Sequence, residues 1–163
     1  MNIAIISDIH DHISNLRNAL NKLKTADCLI CCGDLCSPFI VKELAEGFPG
    51  KEIHIVFGNN DADLFRITLT ANKYDHIHLH GEFCDITLDG KRFAVNHFDH
   101  IGRALATSSE YDVVCFGHNH QFEIAHEGKT LIINPGEIMG ELSGHATFVL
   151  TDTRKGVTQR IDL

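Results

Sequence analysis

The chain has 163 residues, 22 Asp and Glu against 14 Lys and Arg, a formal net charge of -8, and 12 histidines whose ring nitrogens titrate or bind metal. With 44% apolar residues, this length predicts one domain over residues 1–163 that buries about 70% of its unfolded surface. Three prolines, no tryptophan and no run of about 18 apolar residues argue against a collagenous, disordered or membrane-spanning chain. The acidic balance argues against non-specific adhesion to nucleic acid or anionic lipid, which want a Lys/Arg surface.

Apolar runs and helical patches alternate through the first half, the signature of parallel α/β units. Residues 2–7, 28–32 and 53–57 read as buried strands. Between the first two, Ile13, Leu16, Leu20 and Leu23 recur at three and four residues and predict an amphipathic helix. Ser37-Pro38 predicts a second helix start, ended by Gly47 and Pro49. A third helix is expected from Asp61, as its cap, toward Lys73. The second half reads as strands over 76–80, 83–88, 91–96, 112–116, 121–126, 130–133, 146–151 and 157–162, with tight hairpins at Asp89-Gly90 and Glu127-Gly128. One helix, 99–109, interrupts them.

The segment MNIAIISDIH lacks a basic n-region and a small-residue cleavage site, so the expected location is the cytoplasm. Cys28, Cys31, Cys32 and Cys36 crowd together, yet no second Cys pair lies at zinc-site spacing. On a strand, Cys31 and Cys32 point to opposite faces, so they are expected to serve as small hydrophobes.

Hard-ligand residues fall at the strand ends: Ser7-Asp8-Ile9-His10, Gly33-Asp34, Gly58-Asn59-Asn60-Asp61, Asn96-His97 and Gly117-His118-Asn119-His120. In α/β sheets ligands gather outside the carboxyl ends of strands, so five loops can converge on one cleft. One Asp-x-His is commonplace; five such clusters in series are not. Carboxylate, imidazole and amide oxygen together suit manganese, iron, zinc or magnesium rather than copper or an iron-sulfur cluster.

This ordered set of D-x-H, G-D, G-N, a strand-end His and G-H-x-H resembles the calcineurin-like metallophosphoesterases, in particular their small single-domain phosphodiesterase branch, over essentially the whole chain. The resemblance implies an α/β fold of two mixed sheets packed as a sandwich flanked by helices, in four layers. It implies that Asp8, His10 and His120 hold one metal, that Asn59, His97 and His118 hold a second, and that Asp34 bridges them. The cofactors implied are two divalent ions, manganese foremost, with iron, zinc, nickel or magnesium as alternatives. Such a pair shares a water, lowers its pKa and aims the hydroxide at phosphorus in line with the leaving oxygen. The ions also neutralise the substrate's oxygens, so an acidic protein can bind a small phosphoester without a basic patch.

Two positions depart from the family pattern. Asn60 stands where larger members carry a His that protonates the leaving group, and an amide is no proton donor near neutral pH; His12, His100 or water is then left for that task. Asn96-His97-Phe98-Asp99-His100 replaces the usual H-G-H, with His97 the expected ligand, His100 the runner-up, and Phe98 either packing or narrowing the cleft. Asn60, Asp61 and His97 are thus the expected catalytic positions. Ser7, Asp11 and Asp61 are expected to orient ligand imidazoles through their other nitrogen.

Other features carry less. His76, His78 and His80 alternate with Ile77 and Leu79, which places three imidazoles on one strand face, able to bind a stray metal but expected to meet water. Asn134-Pro135-Gly136 matches the family's loop at the cleft rim, with Glu137 where Ser is common. Arg103 is either a phosphate clamp or part of a solvated helix face. Family members are often dimers or larger, so a homo-oligomer is compatible with the resemblance. Two other functions compete with a phosphodiesterase: a non-catalytic scaffold on the same fold, as in membrane-trafficking coats, and a hydrolase of phosphomonoesters or nucleotide polyphosphates.

Overall fold

The computed structural model describes residues 1–163. Its first half alternates β1 (Asn2–Ile6), α1 (Ile13–Lys22), β2 (Cys28–Cys31), α2 (Pro38–Gly47), β3 (Ile53–Ile55), α3 (Leu64–Ala71) and β4 (Ile77–Leu79). The second half runs β5 (Phe83–Leu88), β6 (Lys91–Asn96), α4 (Asp99–Thr107), β7 (Val113–Cys115), β8 (Glu123–Glu127), β9 (Thr130–Asn134), β10 (Thr147–Asp152) and β11 (Val157–Asp162). All eleven expected strands and four expected helices form.

Two mixed sheets result. One has the order β11-β10-β1-β2-β3-β4, the other β5-β6-β7-β9-β8. Strands β1 to β4 run parallel, as do β6, β7 and β9, while β10, β11, β5 and β8 pair antiparallel at the flanks. The period-2 geometry of each strand assigns its apolar residues to layers. Ala4 and Ile6 of β1, with Leu29 and Cys31 of β2, join Leu16, Leu20, Ile40 and Leu44 in a core beneath α1, α2 and α3. Ile3, Ile5, Cys28, Ile30 and Cys32 face the other way and meet Phe93, Val95, Val113, Cys115 and Ile133 between the sheets. A third core holds Phe116, Val114 and Ile132 against Ala106 of α4. The layers are therefore helices, sheet, sheet, helix, the four-layer arrangement the resemblance implied.

Cys31 and Cys32 occupy opposite cores, as the strand reading expects. All six cysteines are free. Burial pushes the Cys28 and Cys84 thiols up to about 12, so they stay protonated and act as small apolar groups.

Four local expectations change. Asp61 does not cap α3; Asp63 does, accepting from the Arg66 amide at 3.1 Å, because Asp61 is buried and engaged elsewhere. Ser37 precedes α2 with Pro38 at its first turn, but its hydroxyl donates to Asp11 at 2.6 Å instead of capping. Strand β8 begins at Glu123, not at 121, because the Gln121 amide closes a turn onto Asn119 Oδ1 at 2.9 Å. His76 leaves the face shared by His78 and His80: it precedes β4, where alternation has not begun, and its Nε2 lies 3.3 Å from the Ala45 carbonyl of α2. His78 and His80 are half-buried rather than open to water.

Candidate metal centre

The parallel strands β1, β2, β3, β6 and β7 all end at one rim of the sandwich, and their connections carry the polar residues singled out above. The first two loops are laced together: amides of Ile9 and His10 both donate to the Asp34 carbonyl at 3.0 Å. Asp61 ties the third loop to the second, since its carboxylate accepts from the amides of Gly58 (2.8 Å), Cys36 (2.8 Å) and Asp34 (3.1 Å). Glycine is required at Gly58 because a Cβ there would collide with the Asp34 carboxylate, and at Gly117 because it would collide with Ser7.

The cluster is tight and largely dry. Asp8 and His97 are 0% exposed and Asp34 1%. Nε2 of His10 lies 3.7 Å from Asp8 Oδ1 and 3.5 Å from Asp34 Oδ2, Nε2 of His97 lies 3.3 Å from Asp34 Oδ2, and Nε2 of His120 lies 3.4 Å from Asp8 Oδ1. Asn59 Oδ1 meets His97 Nε2 at 3.1 Å. The His118 ring stands edge-on to His97 and Phe98, with centroids 5.1 and 5.0 Å away, and its amide donates to Asp8 Oδ2 at 3.1 Å. Two triads have donor atoms close enough to share an ion: Asp8, His10 and His120, and Asp8, Asp34 and His97.

The ring nitrogens facing away are fixed by the protein. His120 Nδ1 lies 2.7 Å from the Glu137 carboxylate, which is itself held by the amide (2.5 Å) and hydroxyl (2.7 Å) of Ser143. His97 Nδ1 donates to the Cys32 carbonyl at 2.8 Å, and His10 Nδ1 faces the Cys36 sulfur at 3.5 Å. The carboxylate and the carbonyl are acceptors, so His120 and His97 carry their hydrogen on Nδ1 and direct the Nε2 lone pair into the cluster. Ser7, Asp11 and Asp61 touch no imidazole, so the orienting role expected of them passes to Glu137, Cys32 and Cys36. A buried acid inside the apolar run IINPGEIM was the signal for Glu137, because a carboxylate there needs a partner.

Five of these residues hold left-handed backbone: Asp8 (φ 53°), His10 (45°), Asp34 (56°), His118 (69°) and His120 (59°). Such conformations cost about 1–3 kcal/mol each outside glycine and gather at functional sites. The electrostatics are equally constrained. The nearby Asp8 carboxylate, aided by Asp34, raises the His10 pKa. Burial pulls His97 down, but the contact with Asp34 outweighs it and the net shift is upward. Burial also penalises the Asp34 charge, yet His97 and Asn60 hold its carboxyl well below the usual range.

A divalent ion fits this donor set on an independent ground. Only three buried side-chain polar atoms lack a hydrogen-bond partner, and they are Ser7 Oγ, Asp8 Oδ1 and His10 Nε2. Leaving such a group unsatisfied costs about 1–3 kcal/mol, and two of the three are expected ligand atoms aimed into the cluster.

The chain matches the calcineurin-like phosphoesterase superfamily domain over residues 1–156. It belongs to that superfamily. This calcineurin-like phosphoesterase is 32% identical over 161 residues to the phosphodiesterase MJ0936 of Methanocaldococcus jannaschii, covering 95% of each chain. It superposes on a structure described as a novel archaeal phosphodiesterase with TM-score 0.92, at 31% identity and 100% coverage of both chains. Vps29 of Entamoeba histolytica, in a zinc complex, shares the fold at TM-score 0.68 and 17% identity, with 99% of each chain covered. Membership makes the chain a metal-dependent phosphoric ester hydrolase of this fold.

Among the remaining calcineurin-like features, Asn60 donates its side-chain amide to Asp34 Oδ2 at 2.8 Å and its backbone amide to Oδ1 at 2.9 Å. His100 points outward, with its side chain 73% exposed, whereas His97 faces the cluster. His12 caps α1, with Nδ1 accepting from the Asn15 amide at 3.3 Å. Arg103 pairs with Glu123 at 2.5 and 3.2 Å, so its guanidinium is engaged outside the cluster. No helix is long and apolar enough to cross a membrane.

Proposed function

We propose that the protein is a phosphodiesterase acting through a dinuclear site, with Asp8, His10 and His120 holding one divalent ion, Asn59, His97 and His118 the other, and Asp34 shared. The observation that carries this reading is Asp34 Oδ2, which lies 3.5 Å from His10 Nε2 and 3.3 Å from His97 Nε2, one member of each ligand set, beside two buried, unpartnered atoms, Asp8 Oδ1 and His10 Nε2. When bound, two divalent ions neutralise the phosphate oxygens and supply an acidified water as nucleophile. Manganese is the first candidate among the ions, with iron, zinc and magnesium, that a mixture of carboxylate, imidazole and amide oxygen suits.

The chain's own residues do the rest. Glu137 keeps the His120 proton on Nδ1 and so keeps Nε2 basic. The Cys32 carbonyl does the same for His97. Asn60 grips both oxygens of Asp34, which fixes the orientation of the shared carboxylate. An amide at this position donates no proton to a leaving oxygen, so esters whose leaving groups depart as stable anions are favoured. A diester also brings one negative charge where a monoester brings two, which suits a chain of net charge -8.

Hydrolysis of bis(p-nitrophenyl) phosphate and of p-nitrophenyl phosphate with added manganese tests the reading. Faster diester turnover, abolished in Asp34→Asn and in His97→Ala, is the expected result. Faster monoester turnover would transfer the assignment to a phosphomonoesterase, and turnover retained in both variants would overturn the site.

A further inference from the structure

Three histidines stand on the face of β3 and β4 opposite the helix-side core. His54 pairs in register with His78 across the two strands, and His80 lies two residues beyond His78 on the same side. Ile53, Ile55, Ile77 and Leu79 point the other way, toward α2 and α3. The His54 ring lies 5.1 Å from that of His78 and 5.2 Å from that of His80, centroid to centroid. Glu52, two residues before His54, sets its carboxylate against His78 Nε2. Strand β4 is the sheet edge, so the group opens to solution on one side.

Nothing cationic neutralises this group. The ion pair recorded for Glu52 is with His78. Lys51, its neighbour in sequence, directs its ammonium to the carbonyls of Lys24 and Ala26, both at 2.7 Å. Two imidazoles aim ring nitrogens at each other: His54 Nδ1 and His80 Nε2 are 3.0 Å apart. Tetrahedral zinc with Zn–N bonds of about 2.0–2.1 Å has a ligand–ligand edge of about 3.3 Å. The observed pair is within a few tenths of an ångström of that edge. The second pair, His78 with Glu52, has side chains 38% and 59% exposed, and has to give up its mutual contact and turn toward His54 and His80 to complete the set.

We propose that His54, His78, His80 and Glu52 form a second divalent-cation site, of zinc type, that clips the edge strand β4 to β3. Three imidazoles and one carboxylate are a borderline donor set, which takes zinc and, by intrinsic affinity, nickel or copper ahead of manganese. The site shares no residue with the phosphoesterase cluster, and the inference stands whether or not that cluster is dinuclear.

The test uses untagged full-length protein, saturated with manganese and dialysed to equilibrium against micromolar zinc, with all metals summed by elemental analysis. Summation removes any effect of zinc displacing manganese. The wild type is expected to hold one equivalent more than His78→Ala and one more than His80→Ala, with manganese-dependent hydrolysis unchanged in both variants. Zinc is also expected to raise the thermal midpoint of the wild type and not of the variants. Glu52→Gln, at an exposed position, keeps the same fold and is expected to weaken zinc at least tenfold. Equal metal counts in wild type and all three variants would overturn the proposal.

Discussion

The Glu137 carboxylate and His120 Nδ1 are 2.7 Å apart, and this contact directs His120 Nε2 toward Asp8 Oδ1, 3.4 Å away. Glu137 is wholly buried. Burial alone would raise its pKa, yet His120 and Ser143 bring the net shift below the ordinary value, so the group is a carboxylate. Glu137→Gln keeps the shape and removes the charge. The expected outcome is metal affinity weakened about 10–100-fold, with turnover falling at limiting manganese and largely recovering at saturation. A metal titration of hydrolysis checks it; an unchanged half-saturation concentration would show that Glu137 only fills space.

Asp61 acts on the architecture of the same rim. Three amides from two loops converge on its carboxylate, and in Asp61→Asn a side-chain NH2 opposes at least one of them. The expected cost is about 1–3 kcal/mol in urea-melt stability, with weaker metal binding because the loops bearing Asp34 and Asn59 lose their tie. Equilibrium unfolding of the metal-free protein measures the first effect, free of any contribution from ligand binding.

Gly58→Ala tests the packing around Asp34. The added Cβ meets the Asp34 carboxylate and its backbone nitrogen, so Asp34, the proposed shared ligand, must move. Activity is expected to fall more than a hundredfold while circular dichroism is retained, because a misplacement of about 1 Å suffices for such a loss.

His54 governs an acid-sensitive window. Burial, reinforced by His80 and His78, lowers its pKa to about 4, whereas the unfolded side chain titrates near about 6.5. Between those values the unfolded state takes up a proton that the folded state refuses, so stability falls as pH drops from about 6.5 to about 4 and this contribution then levels off. In chelator, His54→Gln is expected to flatten the dependence of the thermal midpoint on pH in this interval. Parallel wild-type and variant profiles would contradict the assignment.

Much of this arrangement is legible in the sequence, for a physical reason. Strands such as 28–32 bury both faces and read as continuous apolar runs, and the proposed ligands sit just past their ends, where polar residues interrupt the pattern. Asp8, His10, Asp34, Asn59, His97, His118 and His120 are visible in that way. The supporting partners are not. Glu137 lies 17 positions from His120, and the tie from Asp61 to Cys36 spans 25, distances that no local periodicity encodes. Asp61 and Asp63 are both suitable helix caps two residues apart, and only the demand of three loop amides for a carboxylate decides between them.

The dinuclear claim is tested most directly by elemental analysis and diester hydrolysis on one sample, purified without chelator, for the wild type and Asp34→Ala. Asp34→Ala is expected to lose two metal equivalents together with turnover, and chelation to silence the wild type until manganese is restored. A variant that keeps its full metal complement, or a wild type whose turnover survives chelation, would contradict the dinuclear claim.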